Sequence, residues 1–207
     1  LAAAAGSIER LEAARGSGAP PANIIFMVAD GMSAGVLPLA ERFSQLVRGK
    51  GLLWRALMDR PGAVNALVDM ASLDSAATDS AAAATSWGSG ARVFNGSLNT
   101  LPDGRKLTTI ADIARDRGKR VGLVTTATVT HATPAGFVAV QASRSDEADI
   151  AVQYLGKVDV ILGGGLRFFE ASSRKDRADL IARYRLAGYN CAASRKELAA
   201  LSAGIRS

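Results

Sequence analysis

The chain has 207 residues, of which 48% are hydrophobic and 21% are charged, so it carries enough apolar material for one packed domain. Its formal net charge is +6, yet basic and acidic residues are interleaved and only 5% of the residues are aromatic. Interleaved charges are typical of solvated helix faces, so we expect no nucleic-acid binding. The single cysteine, Cys191, excludes an intramolecular disulfide and a thiolate metal cluster within this sequence.

Residues 1–22 are rich in alanine and end in a stretch with glycine and proline. They are typical either of the remnant of an export signal or of a short surface helix followed by a linker, and the sequence favours neither. We expect the folded body, residues 23–207, to begin near Asn23. No apolar run approaches the roughly 20 residues that a membrane-spanning helix needs, so the sequence predicts no membrane span.

Short apolar runs then alternate with helical patterns. The apolar runs are typical of buried strands and cover residues 23–30, 120–129 and 158–165. The helical patterns, several of which end at glycine, cover residues 37–51, 106–119, 145–157 and 177–188. This alternation predicts an α/β fold with a doubly wound, mostly parallel sheet that has helices on both faces.

Asp30 and Gly31 end the first apolar run. In open parallel sheets, ligands bind just beyond the carboxyl ends of the strands, so a carboxylate at this position would face the binding crevice. Gly31 allows a sharp backbone turn there. An Asp-Gly pair is by itself more typical of a turn than of a binding site, so other residues have to support a functional interpretation.

The segment "AATDSAAAATSWGSG", residues 76–90, predicts a helix that begins at about Ser80 with Asp79 or Thr78 near its cap. The unpaired N–H groups at this helix end favour an anion beside the serine hydroxyl. An ordinary capping serine would explain the helix start without catalysis. It would not explain Asp79, because an acid next to a nucleophile needs a cationic partner if it is not to repel an anionic substrate.

The stretch "THATPAGFVAVQASR" supplies such a cation in Arg144. It follows the second apolar run, whose exit places Thr130, His131 and Thr133 at the same edge of the predicted crevice. His131 is the sole histidine of the sequence. Each of these residues has an ordinary structural explanation when it is taken alone.

Taken together, these segments resemble the alkaline phosphatase family. The matching elements occur in the family's order and are "VADGM" at 28–32, "TDSAAAATSWGSGARVFNG" at 78–96, "HATPAGFVAVQASR" at 131–144 and "VDVILGGG" at 158–165. The Asp-Ser-Ala-Ala segment with its following tryptophan and Phe-Asn-Gly turn is highly specific. The triple glycine is weak evidence alone, because it also suits a tight turn between a strand and a helix.

The resemblance implies a role for each matching residue. Ser80 is implied as the nucleophile that accepts the phosphoryl group of a phosphate monoester and forms a covalent phosphoserine. Arg144 is implied as the guanidinium that grips two phosphate oxygens, and Asp79 as the acid that orients it. In this interpretation the aspartate tethers a cation and need not repel the ester.

The resemblance also implies two zinc ions and one magnesium ion as cofactors. Asp30 would bridge a zinc and the magnesium, Thr133 would bind the magnesium through its hydroxyl, and Ser80 would bind metal through its oxygen. His131 stands where some family members carry aspartate and others histidine. Because an imidazole replaces a hard carboxylate there, we expect a weakened magnesium site.

The chemistry of a serine hydroxyl independently favours metal activation, because this group is a poor nucleophile near neutral pH and needs a Lewis acid to stabilise its alkoxide. The sole histidine belongs to another segment, so a Ser-His-Asp triad is a strained alternative. Two cations about 3.5 to 4 Å apart can stabilise both the attacking and the leaving oxygen of an in-line displacement. A planar arginine fork matches the equatorial phosphoryl oxygens.

The chain departs from the family in length, since family members are much longer and their remaining metal ligands follow the triple glycine. This sequence has no histidine after His131, so we expect an incomplete C-terminus and a fragment with little turnover of its own. Two other functions stay open: a related hydrolase of sulfate esters or phosphodiesters, and a non-catalytic phosphate-binding or scaffold protein. The resemblance also implies a periplasmic or secreted location and a homodimer.

Overall fold

The computed structural model describes residues 22–202 and separates the chain into two units, residues 1–32 and residues 33–207. Apart from Ala22, the predicted leader of residues 1–22 lies outside the described residues. The boundary expected near Asn23 therefore stays a prediction. Within the described residues, no helix combines the length and the apolar character that crossing a bilayer requires.

The first apolar run is the element on which the structure departs from the sequence prediction. Residues 22–32 form neither a helix nor a strand, and the side chains of Ile24, Ile25 and Met27 are exposed to solvent. An apolar run becomes a strand only when a neighbouring strand pairs with its backbone N–H and C=O groups. The run is thus strand-like in sequence but is not part of the sheet in this structure.

The second unit contains helices and two strands, with bounds close to the predicted ones. In chain order they are α1 (Val36–Arg48), α2 (Leu53–Met58), α3 (Ser80–Ser89), α4 (Ile110–Asp116), β1 (Gly122–Thr128), α5 (Ala132–Ala135), α6 (Glu147–Gln153), β2 (Val160–Gly164), a 3₁₀ turn (Leu166–Phe168), α7 (Leu180–Leu186) and α8 (Arg195–Ser202). The predicted helices are confirmed as α1, α4, α6 and α7. Local capping sets their ends: Gly49 ends α1 at φ 66°, and Thr109 with Asp112 forms a capping box at the start of α4.

Strands β1 and β2 are parallel neighbours, with Gly122 opposite Val160 and Val124 opposite Leu162. The chain between them carries α5 and α6, so a strand–helix–strand unit joins the two strands as the sequence predicted. The fold is therefore α/β with a parallel sheet. In the described residues this sheet has two strands.

The glycines at the end of β2 and just after it hold the exit of β1 in place. A Cβ atom on Gly163 would stand 2.8 Å from the side chains of Thr125 and Val129, so the two strands approach closely only because this residue is glycine. Gly165 has a φ of 95°, which glycine adopts without steric cost. The N–H of Val129 donates to the carbonyl oxygen of Gly164 at 3.0 Å. The position of the residues that follow β1 is thereby fixed.

Helix α3 packs its alanine face against α5. Ala81–Ala84 are buried, and a Cβ atom on Gly88 would overlap the carbonyl oxygen of Gly136 at the end of α5. Asn99 links the two helices: its main-chain N–H donates to the Thr85 hydroxyl of α3 at 3.0 Å, and its buried side-chain amide donates to the carbonyl oxygens of Gly136 at 2.8 Å and Ala139 at 2.7 Å. Small residues and one buried asparagine therefore hold α3 against the segment that follows β1.

Asp159 fastens the beginning of β2 to the beginning of β1. Its carboxylate accepts hydrogen bonds from the Val121 N–H at 2.8 Å and from the Arg120 guanidinium at 2.7 Å. Partial burial raises the pKa of the Asp159 carboxyl, but these two bonds and the nearby charge of Arg115 outweigh it, so the pKa lies below its ordinary value. The carboxylate thus stabilises the fold in its ionised form.

Asp159→Asn is expected to reduce the free energy of unfolding by about 1 kcal/mol near pH 7, because the charge-assisted bonds to Val121 and Arg120 are weakened. Since the folded-state pKa is depressed, this contribution is present above the unfolded-state pKa of about 4 and is lost as the pH falls through the folded-state value. Urea unfolding of the wild type and the variant between pH 2 and pH 8 measures the difference.

Asp103→Asn is the matched control. Asp103 bonds Arg105 only two residues away, a contact that the unfolded chain can also form. Its replacement should leave the stability difference small across the same pH range. A loss in Asp159→Asn that is as large at pH 2 as at pH 7 would contradict the role given to the ionised carboxylate.

Candidate active site

Ser80 is the first residue of α3 and is half-buried. Asp79 precedes it as the N-cap, in an extended conformation, and its Oδ1 atom accepts the Ala82 N–H at 2.9 Å. This confirms the predicted helix start and selects Asp79 rather than Thr78 as the cap. An aspartate cap is favourable here because its carboxylate accepts an otherwise unpaired N–H and its negative charge is attracted to the positive end of the helix dipole.

Asp79 also meets Arg144, as the sequence predicted. The Arg144 Nη1 atom donates to Asp79 Oδ2 at 3.0 Å, and the two side chains are 29% and 27% exposed. The same Oδ2 atom accepts the Gly96 N–H at 3.0 Å. The Asp79 carboxylate is thus held by a helix end, a turn and a guanidinium, and each fixes its direction.

The turn at Asn95 and Gly96 links the two segments that carry Asp79 and Arg144. Gly96 has a φ of 86°, and its carbonyl oxygen accepts the main-chain N–H of Arg144 at 2.7 Å. The Asn95 side chain bonds the main chain of Ala77 and Asp79. Both the backbone and the side chain of Arg144 are therefore anchored next to Ser80.

His131 and Thr133 lie just beyond β1, on the other side of Arg144. The His131 Nε2 atom is 3.0 Å from Arg144 Nη2, and the Nδ1 atom is 3.5 Å from Thr133 Oγ1. A guanidinium has only donors, so the Nε2 lone pair can accept from Arg144. The Thr133 main-chain N–H also lies 3.5 Å from Nδ1, where His131 is the N-cap of α5.

These contacts bring five of the six predicted residues into one half-buried region: Asp79, Ser80, His131, Thr133 and Arg144. Asp30 belongs to the first unit, where it lies in an exposed turn next to Gly31, whose φ is 70°. The turn expected at this Asp-Gly pair is confirmed. The role of Asp30 as a ligand stays a prediction.

The donors for a metal are present only in part. Thr133 offers a hydroxyl oxygen and His131 a ring nitrogen, and these two atoms lie 3.5 Å apart. Within residues 22–202, no group of three or more histidine, cysteine, aspartate or glutamate side chains lies close enough together to hold an ion. Because magnesium prefers six oxygen ligands, Thr133 and His131 fit a portion of such a site and need further donors to complete it.

Two residues of this region were not singled out from the sequence. Asn95 was recognised only as part of the Phe-Asn-Gly turn, and its bonds to Asp79 and Ala77 join residues 16 and 18 positions apart. Glu147 accepts hydrogen bonds from the hydroxyls of Thr128 and Thr130, each at 2.7 Å, and so steadies the chain before His131. An acidic residue in the first turn of a predicted helix is the only sequence signal for Glu147, and it reveals no tertiary partner.

Solved structures similar to this chain include the alkaline phosphatase of Thermus thermophilus, with a TM-score of 0.79 and 40% identity, covering 83% of this chain and 36% of that one. A histidine-to-aspartate variant of the TAB5 alkaline phosphatase, solved with Mg bound in its M3 site, has a TM-score of 0.63 and 28% identity. It covers 73% of this chain and 42% of that one.

Among curated relatives, alkaline phosphatase 3 of Bacillus subtilis is 40% identical over 128 residues, which are 58% of this chain and 27% of that protein. The chain thus spans less than half the length of each of these proteins. The profile of the alkaline phosphatase family matches residues 21–204, nearly the whole sequence. The chain belongs to the alkaline phosphatase family.

Proposed function

We propose that the protein containing this chain is a metal-dependent phosphate monoester hydrolase in which Ser80 is the nucleophile. The observation that carries the proposal is the placement of Arg144, which is held by Asp79 at 3.0 Å and by the Gly96 carbonyl oxygen at 2.7 Å, next to the start of α3. A guanidinium fixed beside a serine hydroxyl suits a tetrahedral dianion better than a neutral ester.

In the proposed reaction, the Ser80 oxygen attacks phosphorus and the bond from phosphorus to the alcohol oxygen breaks. The alcohol leaves, and the phosphoryl group stays on Ser80 until water cleaves the new bond and releases inorganic phosphate. Arg144 holds the equatorial phosphoryl oxygens in both steps. Asp79 keeps the guanidinium oriented towards the phosphoryl group. The placement of the reacting groups and the charge around them then supply most of the rate enhancement.

The metals of the proposal are two zinc ions and one magnesium ion, which would lower the pKa of bound hydroxyl groups and neutralise developing charge. Asp30, Ser80, Thr133 and His131 are the residues of this chain that would hold them. Support comes from the neighbouring Thr133 and His131 donors and from the Mg that the TAB5 variant binds. A location in the periplasm or outside the cell, and a homodimer, remain predictions of the same proposal.

Ser80→Ala is expected to abolish formation of the covalent phosphoserine and to reduce phosphate release from an aryl phosphate by several orders of magnitude, because no other hydroxyl replaces the nucleophile. The test uses the longest product of the coding sequence that contains these residues, assayed at alkaline pH with zinc and magnesium. Ser86→Ala, which alters a serine bonded within the same helix, is the matched control. Normal turnover in Ser80→Ala would refute the assignment, and activity on sulfate esters or phosphodiesters alone would favour the related hydrolases.

Arg144→Lys should raise KM and the inhibition constant for inorganic phosphate by roughly tenfold or more, because lysine keeps the charge but loses the two-pronged donor geometry. The change in kcat should be smaller. Arg92→Lys is the control, since Arg92 pairs with Asp69 at 3.0 Å on an exposed surface. Equal phosphate inhibition in the wild type and Arg144→Lys would argue against the gripping role.

His131→Asp should tighten magnesium retention, because a carboxylate is a harder ligand for magnesium than an imidazole. In titrations of metal-stripped protein, half-maximal recovery should occur at a magnesium concentration lower by roughly tenfold. His131→Asn has nearly the shape of the aspartate without its charge and should not show this gain. An unchanged magnesium dependence in His131→Asp would speak against His131 as part of the magnesium site.

A further inference from the structure

We infer that Asn95 is a positioning residue: its side-chain amide holds residues 77–79 in the conformation that presents Ser80 and Asp79 for phosphoryl transfer. The inference rests on the proposed function of Ser80 as the nucleophile. It goes beyond that function because the orientation of the nucleophile then depends on a turn that lies 15 residues further along the sequence.

The Asn95 amide clamps the main chain on both sides of Thr78. Its Oδ1 atom accepts the Asp79 N–H at 2.9 Å, and its Nδ2 atom donates to the Ala77 carbonyl oxygen at 3.0 Å. These two bonds copy the pairing that a neighbouring strand would offer to an extended segment. The orientation of the amide is fixed by its partners, because a flipped amide would set donor against donor and acceptor against acceptor.

The clamp is itself held in place. The main-chain N–H of Asn95 donates to Asp74 Oδ1 at 2.9 Å, and the Ser72 hydroxyl donates to the same oxygen at 2.8 Å. The next residue, Gly96, contacts both the Asp79 carboxylate and the Arg144 main chain. One two-residue turn therefore joins the backbone before the nucleophile to the backbone of the phosphate-gripping arginine.

Asn95 acts through other residues rather than on the substrate. Its oxygen and its nitrogen both bond main-chain groups of residues 77 and 79. Losing these bonds frees the segment just before Ser80, while the Arg144 contacts with Asp79 and Gly96 can persist. Because a misplacement of about 1 Å at a nucleophile can cost about a hundredfold in rate, the expected consequence falls on turnover rather than on phosphate affinity.

The test compares Asn95→Ala and Asn95→Asp with Asn65→Ala in the longest product of the coding sequence. Asn65 donates one comparable amide bond, to the Met58 carbonyl oxygen at 3.2 Å, and serves as the matched control. Asn95→Ala should lower kcat for an aryl phosphate by roughly ten- to a hundredfold, with phosphate inhibition changed by less than about threefold. Asn95→Asp keeps the acceptor for the Asp79 N–H and should retain an intermediate kcat.

The outcome that overturns the inference is an unchanged kcat per folded molecule in Asn95→Ala, with folding measured by thermal unfolding of the same sample. A purely structural role would lower the unfolding temperature and would reduce the apparent kcat only in proportion to the unfolded fraction, with the phosphate inhibition constant unchanged, and it would equally overturn the inference.

Amide hydrogen exchange tests the Asn95 hydrogen bonds by a measurement that does not depend on enzyme turnover. The Asp79 amide should exchange at least about tenfold faster in Asn95→Ala, while the Val129 amide, bonded to Gly164, should keep its wild-type rate. An unchanged Asp79 rate would show that the clamp is absent. A wild-type protein without phosphatase activity but with this exchange difference would instead refute the proposed function and leave the clamp intact.

Discussion

A carboxylate at the start of helix α3 and a guanidinium 65 positions later in the chain meet at 3.0 Å, and the candidate site depends on this contact. Asp79 serves two purposes at once, because one oxygen caps the helix and the other receives Arg144 and the Gly96 N–H. The cap alone would leave the arginine mobile, whereas the ion pair alone would leave the helix start frayed. Their combination fixes a cation beside the half-buried Ser80.

Close packing of small residues allows the contact between Asp79 and Arg144 to form. The alanines of α3 and the pair Gly88 and Gly136 allow α3 to lie directly on α5. Asn99 joins the two helices, because its main-chain N–H bonds Thr85 and its side-chain amide bonds Gly136. Gly163 similarly lets β2 approach the exit of β1. A larger side chain at these glycines would push apart the segments that carry Ser80 and His131, because protein interiors hold little spare volume.

Much of this arrangement could be predicted from the sequence. The helix start at Ser80, the parallel strands and the meeting of Asp79 with Arg144 follow from local patterns, the charge argument and the family resemblance, and the structure confirms them. The run at residues 23–30 has the composition of a buried strand, yet it forms none in this structure. The composition of a segment indicates that it would be stable as a buried strand. It does not provide the neighbouring strand that must pair with it.

The sequence by itself determined helices α1, α3, α4, α6 and α7, strands β1 and β2 and the chemical types at the site, because helix periodicity, capping and turn preferences act over a few residues. Only the tertiary structure decided that Asn95 clamps residues 77–79, that Glu147 receives two threonine hydroxyls, and that His131 faces Arg144. These partners are 13 to 19 positions apart and follow no local period. Their meeting depends on how closely the helices and strands pack, which is a property of the folded chain as a whole.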